Sequence, residues 1–107
     1  MSNILHVEDN HDWLSTVRGV LEDAGHHVIS VDSVKEARSH LNQVDIVICD
    51  GNLEHDQAGD GFDLAHELHC RNLRVMVLAA RPRDSFIPFM AKGKFDSDDL
   101  IKMIAQL

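Results

Sequence analysis

Ile46, Val47, Ile48 and Cys49 form an unbroken apolar run that constrains the fold more than any other stretch of the chain. The run is too short for a typical helix and shows no alternation, which is the pattern of a strand covered on both faces of a parallel sheet. The chain then turns acidic. Asp50 stands where the strand should end, and Gly51 and Asn52 tolerate a sharp turn. Open parallel sheets bind ligands at the carboxyl ends of their strands, so Asp50 reads as a site residue. Taken alone, it reads equally well as an aspartate that solvates a turn.

Comparable runs recur along the sequence. Ile4 to Val7 leads directly into Glu8, Asp9 and Asn10, Val28 to Val31 forms a second run, Arg74 opens Val75 to Ala79, and Phe89, Met90 and Ala91 precede Lys92. Helical spacing fills the intervals. Trp13, Leu14, Val17, Val20, Leu21 and Ala24 make one apolar face, with Gly25 where a helix end wants a left-handed residue. Ser33 and Glu36 make a capping-box pattern ahead of an apolar face of Val34, Ala37 and Leu41. Phe62, Leu64, Ala65 and Leu68 follow Gly61, and Ser97 is the expected cap of a last helix that carries Asp98 and Asp99 at its start and Leu100, Ile101, Ile104 and Leu107 on one face. Strands alternating with helices predict a doubly wound α/β domain with right-handed crossovers and helices on both faces of the sheet.

At 107 residues the chain is expected to be one domain, 1–107, with an adequate core and no effector domain. No apolar stretch approaches the ~20 residues of a membrane span, and MSNILHVEDN lacks the regions of a signal peptide, so a cytoplasmic location is expected. Cys49 and Cys70 have no metal-binding spacing and read as reduced thiols. A formal net charge of -8 without a basic stripe argues against nucleic acid and for protein partners. His6 reads as a core histidine. His66, His69 and Cys70 lie within reach of one another on a helix surface, but no further ligand of recognisable spacing accompanies them.

If the first and third strands are adjacent and parallel, Glu8, Asp9 and Asp50 converge at one edge of the sheet. Three carboxylates there repel one another unless a cation is shared, and Mg²⁺ suits such a set because it binds few carboxylates and keeps its remaining positions for water or a phosphoryl group. Lys92, following the fifth run, would stand at the same edge, where its charge can neutralise a phosphoryl oxygen or be solvated at a strand end.

ILHVEDN, DIVICDGNL and GDGFDLAHEL, in this order and with Lys92 after the last strand, resemble the receiver domain of two-component response regulators, and the resemblance covers the whole chain. It implies a flavodoxin-like five-stranded parallel sheet of order 2-1-3-4-5. It also implies that Asp50 accepts a phosphoryl group from a sensor histidine kinase or phosphotransfer protein. Glu8, Asp9, Asp50 and the backbone carbonyl of Asn52 would hold Mg²⁺, and Lys92 would contact the phosphoryl group. The domain would then signal by protein contact and would not itself be an enzyme. Its downstream protein is not named by the sequence.

The sequence departs from the family at three places. Ala79 stands where a Ser or Thr is expected and Phe89 at an aromatic switch position, so both switch positions are degenerate. Only RPRDSFIP lies between Ala80 and Phe89, a stretch too short for a full helical crossover, so the family's fourth helix is expected to be absent or reduced to one turn. That loss would expose Phe86, Ile87 and Met90 as an interaction surface for a partner or a second copy of the chain, unless they tuck into the core. The loop after Asp50 is long and adds Glu54, His55 and Asp56. Two rival functions follow: a pseudo-receiver that binds protein without phosphorylation, and a hydrolase with an aspartyl-phosphate intermediate. The second is disfavoured because the segment after Asp50, GNL, has Asn52 and not a second aspartate two residues on from Asp50 to serve as acid or base.

Overall fold

The structure, a computed structural model, describes residues 2–50, 61–79 and 87–107. Five strands, β1 (Asn3–Val7), β2 (His27–Val31), β3 (Ile46–Asp50), β4 (Arg74–Ala79) and β5 (Phe89–Ala91), form one sheet of order 2-1-3-4-5 in which every neighbouring pair is parallel. Among the described residues four α-helices accompany it: α1 (His11–Asp23), α2 (Val34–Arg38), α3 (Gly61–Cys70) and α4 (Ser97–Gln106). This is the doubly wound arrangement expected from the alternation, in the flavodoxin-like order implied by the resemblance to receiver domains. No helix among the described residues is long and apolar enough to cross a membrane.

Alternate strand residues build two apolar layers, as the pleat requires. Leu5, Val7, Val47, Cys49, Val75 and Val77 meet Ala37 of α2 and Leu64, Ala65 and Leu68 of α3. On the other side Ile4, Ile46, Ile48, Met76 and Leu78 meet Val17 and Leu21 of α1 and Leu100 and Ile104 of α4. Because β3 lies mid-sheet between both layers, all its residues are buried, which accounts for its lack of alternation.

Side-chain caps and left-handed residues set the helix boundaries. Asn10 Oδ1 accepts hydrogen bonds from the Asp12 and Trp13 N–H groups at 3.0 and 3.1 Å and so starts α1. At its other end Gly25 takes φ 92°, and the Gly25 and His26 N–H groups donate to the Glu22 and Leu21 carbonyls at 2.9 and 3.1 Å. This double closure needs a left-handed residue, as expected for Gly25. The end of α3 repeats it with Asn72 at φ 63°, the Asn72 and Leu73 N–H groups reaching the His69 and Leu68 carbonyls at 3.0 and 3.2 Å.

Two helices differ from the sequence reading. Ser33 Oγ caps α2 by accepting from the Glu36 N–H at 3.2 Å, but α2 ends at Arg38 and does not reach Leu41. There the Ser39 N–H and hydroxyl both donate to the Glu36 carbonyl, at 3.1 and 2.7 Å, closing the turn in place of a further α-helical bond. Leu41 instead opens a 3₁₀ turn, Leu41–Gln43. In α4 the cap is Asp96, whose Oδ1 accepts from the Asp99 N–H at 3.1 Å, and Ser97 is the first helical residue.

Residues 80–88 connect β4 to β5. The expected absence or one-turn shortening of the family's fourth helix falls on residues that lie mostly outside those described; Ile87 and Pro88, at the end of the stretch, are not helical. Phe86 also lies outside the described residues. Ile87 and Met90 correct the expectation of an exposed patch. They are 3% and 8% exposed and tuck into the α2/α3 and α1/α4 layers respectively, Met90 as part of β5 and Ile87 just ahead of it.

The fully buried Leu21 gives a direct check of this packing. Leu21→Ala should destabilise the protein by about 2–5 kcal/mol in urea unfolding, whereas Asp96→Ala, which removes only a cap, should cost about 0.5–2 kcal/mol.

Candidate functional site

The parallel register brings the acidic residues together. Val7 of β1 pairs with Cys49 of β3, so Glu8 and Asp50, each one residue further, emerge side by side at the carboxyl edge. The Glu8 N–H extends the ladder by donating to the Val31 carbonyl at 3.0 Å, and the Asn10 N–H donates to Glu8 Oε1 at 3.2 Å. Glu8 is 0% and Asp50 1% exposed, while Asp9 is half-buried. One carboxylate oxygen from each of Glu8, Asp9 and Asp50 lies within 4.8 Å of the others.

Lys92 follows β5 at the start of a 3₁₀ turn, Lys92–Lys94. With β4 between β3 and β5, its long stem carries the ammonium to 2.8 Å from Glu8 Oε2 and 3.4 Å from Asp50 Oδ1. Only 12% of the lysine side chain is exposed, so this ion cluster is poorly screened by solvent. Three carboxylates and one ammonium leave two formal negative charges. The imbalance shows on Glu8, whose pKa is pushed up from 4.5 to about 7 by burial first and then by the neighbouring Asp50 carboxyl, against the opposing pull of Lys92.

The donor set fits a small divalent cation. Its charge balances the deficit, all its side-chain donors are hard oxygens, and two ligands sharing a Mg²⁺ at ~2.1 Å stand at most ~4.2 Å apart, so the cluster is within a small adjustment of closing on one ion. The Asn52 carbonyl, the remaining expected ligand, lies outside the described residues, as do Glu54, His55 and Asp56. His66, His69 and Cys70 join no such cluster among the described residues.

Around the acids, the other singled-out residues are placed as follows. Ala79 ends β4, is fully buried beside the α2/α3 layer, and offers no side-chain donor; Phe89 is half-buried against the same layer. His6 lies under the site on the α1 side of the sheet, buried as expected for a core histidine. Burial lowers its pKa to about 4, Asp50 opposing and Lys92 reinforcing the shift, so its ring is neutral and adds no positive charge to the acids. Cys49 is buried and its thiol is pushed up to about 12, mainly by burial, which keeps it protonated.

Trp13 was legible only as part of an apolar helix face. In the fold its ring lies 5.2 Å from Lys92 Nζ and meets Phe95 edge-on at 5.5 Å and 80°. An aromatic residue in the first helical turn after an acidic strand end is the one signal that pointed there.

The chain matches the response regulator receiver domain family over residues 4–104. It is similar to the receiver domain of NtrX from Brucella abortus, with 26% identity and a TM-score of 0.81 over 96% of this chain and 95% of that one. Against the longer NtrX chain, at 25% identity and a TM-score of 0.81, the match takes 98% of this chain but 26% of that one. The chemotaxis protein CheY4 of Vibrio cholerae shares the fold, with a TM-score of 0.81 and 19% identity over 99% of this chain and 98% of that one. No curated protein sequence matches.

The Glu8 shift sets a pH dependence. Its folded pKa is raised, so the stability gained from its protonated form is fully present below about 4.5 and is lost as the pH rises through about 7. Lys92→Met removes the ammonium that offsets ionised Glu8. In chelator, the loss of stability caused by Lys92→Met should therefore be larger at about pH 8 than at about pH 5, measured as denaturation midpoints of both proteins.

Proposed function

The chain belongs to the response regulator receiver domain family, the receiving module of two-component signalling, and from that premise we propose that Asp50 accepts a phosphoryl group with Mg²⁺ held by Glu8, Asp9 and Asp50. The observation that carries this reading is the joint placement of the three carboxylates within 4.8 Å and of Lys92 at 2.8 and 3.4 Å from two of them, at the carboxyl edge of the sheet. Phosphoryl transfer asks little of a protein beyond alignment and charge neutralisation.

In this reading an Asp50 carboxylate oxygen attacks phosphorus in line, a phosphorus–oxygen bond forms, and the phosphorus–nitrogen bond to the donor histidine breaks. The imidazole leaves and takes up a proton. Bound Mg²⁺ would supply charge neutralisation at the phosphoryl oxygens. Lys92 turns its ammonium from Glu8 towards the new oxygens, and the Asn10 N–H keeps Glu8 facing the cation position. The backbone carbonyl of Asn52 would complete the metal shell. The donor is a sensor histidine kinase or a phosphotransfer protein, and output passes through protein contact, with a downstream protein or a second copy of the chain.

A second reading, a pseudo-receiver that binds protein without phosphorylation, has Ala79 in its favour, because the end of β4 offers no hydroxyl to a phosphoryl group. One lost hydrogen bond to a charged oxygen is worth about 1.5–3 kcal/mol, which weakens the response to phosphate more than the transfer itself.

Incubation with a small phosphodonor and Mg²⁺ separates the two. The intact mass should rise by one phosphoryl group in the native protein and stay unchanged in Asp50→Ala; no Asp50-dependent gain together with no Mg²⁺ binding would support the pseudo-receiver. The Mg²⁺ affinity should also depend on pH. The cation competes with the Glu8 proton, so binding should tighten as the pH rises and level off above about 7, as read by calorimetric titration.

A further inference from the structure

Lys92 is held from three directions. Two are the Glu8 and Asp50 carboxylates, at 2.8 and 3.4 Å, and the third is the face of the Trp13 ring, 5.2 Å from Nζ to the ring centroid. The carboxylates are also the groups a divalent cation would share, and a cation among them competes with the ammonium for the same negative charge. The ring attracts the ammonium through its quadrupole, which depends on neither carboxylate.

Trp13 is itself tied to the site at both ends. Its backbone N–H donates to Asn10 Oδ1 at 3.1 Å, and the Asn10 backbone N–H donates to Glu8 Oε1 at 3.2 Å, so the cap of α1 and the acidic strand end are one hydrogen-bonded unit. On its other side the ring meets Phe95, whose N–H donates to the Lys92 carbonyl at 3.2 Å. The half-buried ring also packs against the α1/α4 apolar layer. The aromatic pair thus joins the first turn of α1 to the turn after β5, with the ammonium over the Trp13 ring.

We infer that Trp13 is a positioning residue for Lys92: its ring face holds the ammonium beside Asp50 when the carboxylates are engaged elsewhere. The inference extends the phosphoacceptor reading to a residue that touches neither the phosphoryl group nor the cation. Its chemistry is that of a neutral aromatic surface, so another aromatic side chain replaces it in part and an aliphatic one does not.

Trp13→Phe and Trp13→Leu, each in the native and the Lys92→Met background, test this. Trp13→Leu should slow phosphorylation by a small phosphodonor at saturating Mg²⁺ by about threefold to tenfold, with Trp13→Phe recovering most of the rate. In the Lys92→Met background Trp13→Leu should cause no further loss. An equal loss in both backgrounds, or equal loss with Phe and Leu at matched urea stability, would overturn the inference by assigning Trp13 to packing alone. A second arm needs no phosphate. The Lys92 ε-methylene protons should show ring-current shifts by NMR in the native protein, with and without Mg²⁺, and lose them in Trp13→Leu. Unshifted methylene resonances in the native protein would refute the pairing. Failure of the native protein to take phosphate would instead overturn the phosphoacceptor reading, with the methylene shifts still deciding whether Trp13 holds Lys92.

Discussion

Repulsion among carboxylates confined at one edge of the sheet is the constraint on which the rest of this structure turns. Parallel strands necessarily deliver their carboxyl ends to the same side, so the acids that end β1 and β3 meet without any special loop to bring them together. Burial raises the cost of their charge, and Lys92 offsets only part of it. The result is an acidic cluster with a net negative formal charge, a donor set of hard oxygens that fits a divalent cation. The elevated proton affinity of Glu8 is what the same imbalance looks like when a proton must serve in place of a metal.

Such a site is tolerable because the strands are packed on both faces by mainly apolar side chains. The two side-chain layers are contributed by the same strands in alternation, and each is closed by two helices. A strand end carrying an unfavourable charge is therefore anchored by residues that have nothing to do with that charge. His6, neutral beneath the acids, preserves this separation, since a charged imidazole there would compete with Lys92 and with any cation. The Asn10 cap serves both purposes at once, starting α1 through its side chain and orienting Glu8 through its N–H.

The parts legible in the sequence share a physical basis. Short apolar-rich runs of three to five residues identified every strand, and the acids or lysine behind the first, third and fifth marked Glu8, Asp9, Asp50 and Lys92 as candidates for one edge. Gly25 marked the end of α1 because the left-handed region penalises other residues. What escaped were choices between near-equal local options. Asp96 and Ser97 are both good caps, and only the course of the chain out of β5 selects Asp96. Asn72 can close a helix as glycine does, yet it carries no periodic signal. Ser39 cut α2 short through a hydroxyl whose preference for the Glu36 carbonyl is invisible in an apolar pattern. Ile87 and Met90 could have been exposed or tucked into the core by a short connection to β5, and they are buried, one in each apolar layer.

Periodicity and charge order, both local properties, determined the class of fold, and the resemblance of the acidic strand ends to receiver domains added the strand order and the acidic site, because a parallel sheet converts position along each strand directly into position across the edge. Tertiary structure alone decided how the charges are shared: that Lys92 sits nearer Glu8 than Asp50, that the proton affinity of Glu8 rises, and that Trp13 faces the lysine. These depend on distances of a few ångströms between residues far apart in the chain, and Coulomb and cation–π interactions change steeply over that range.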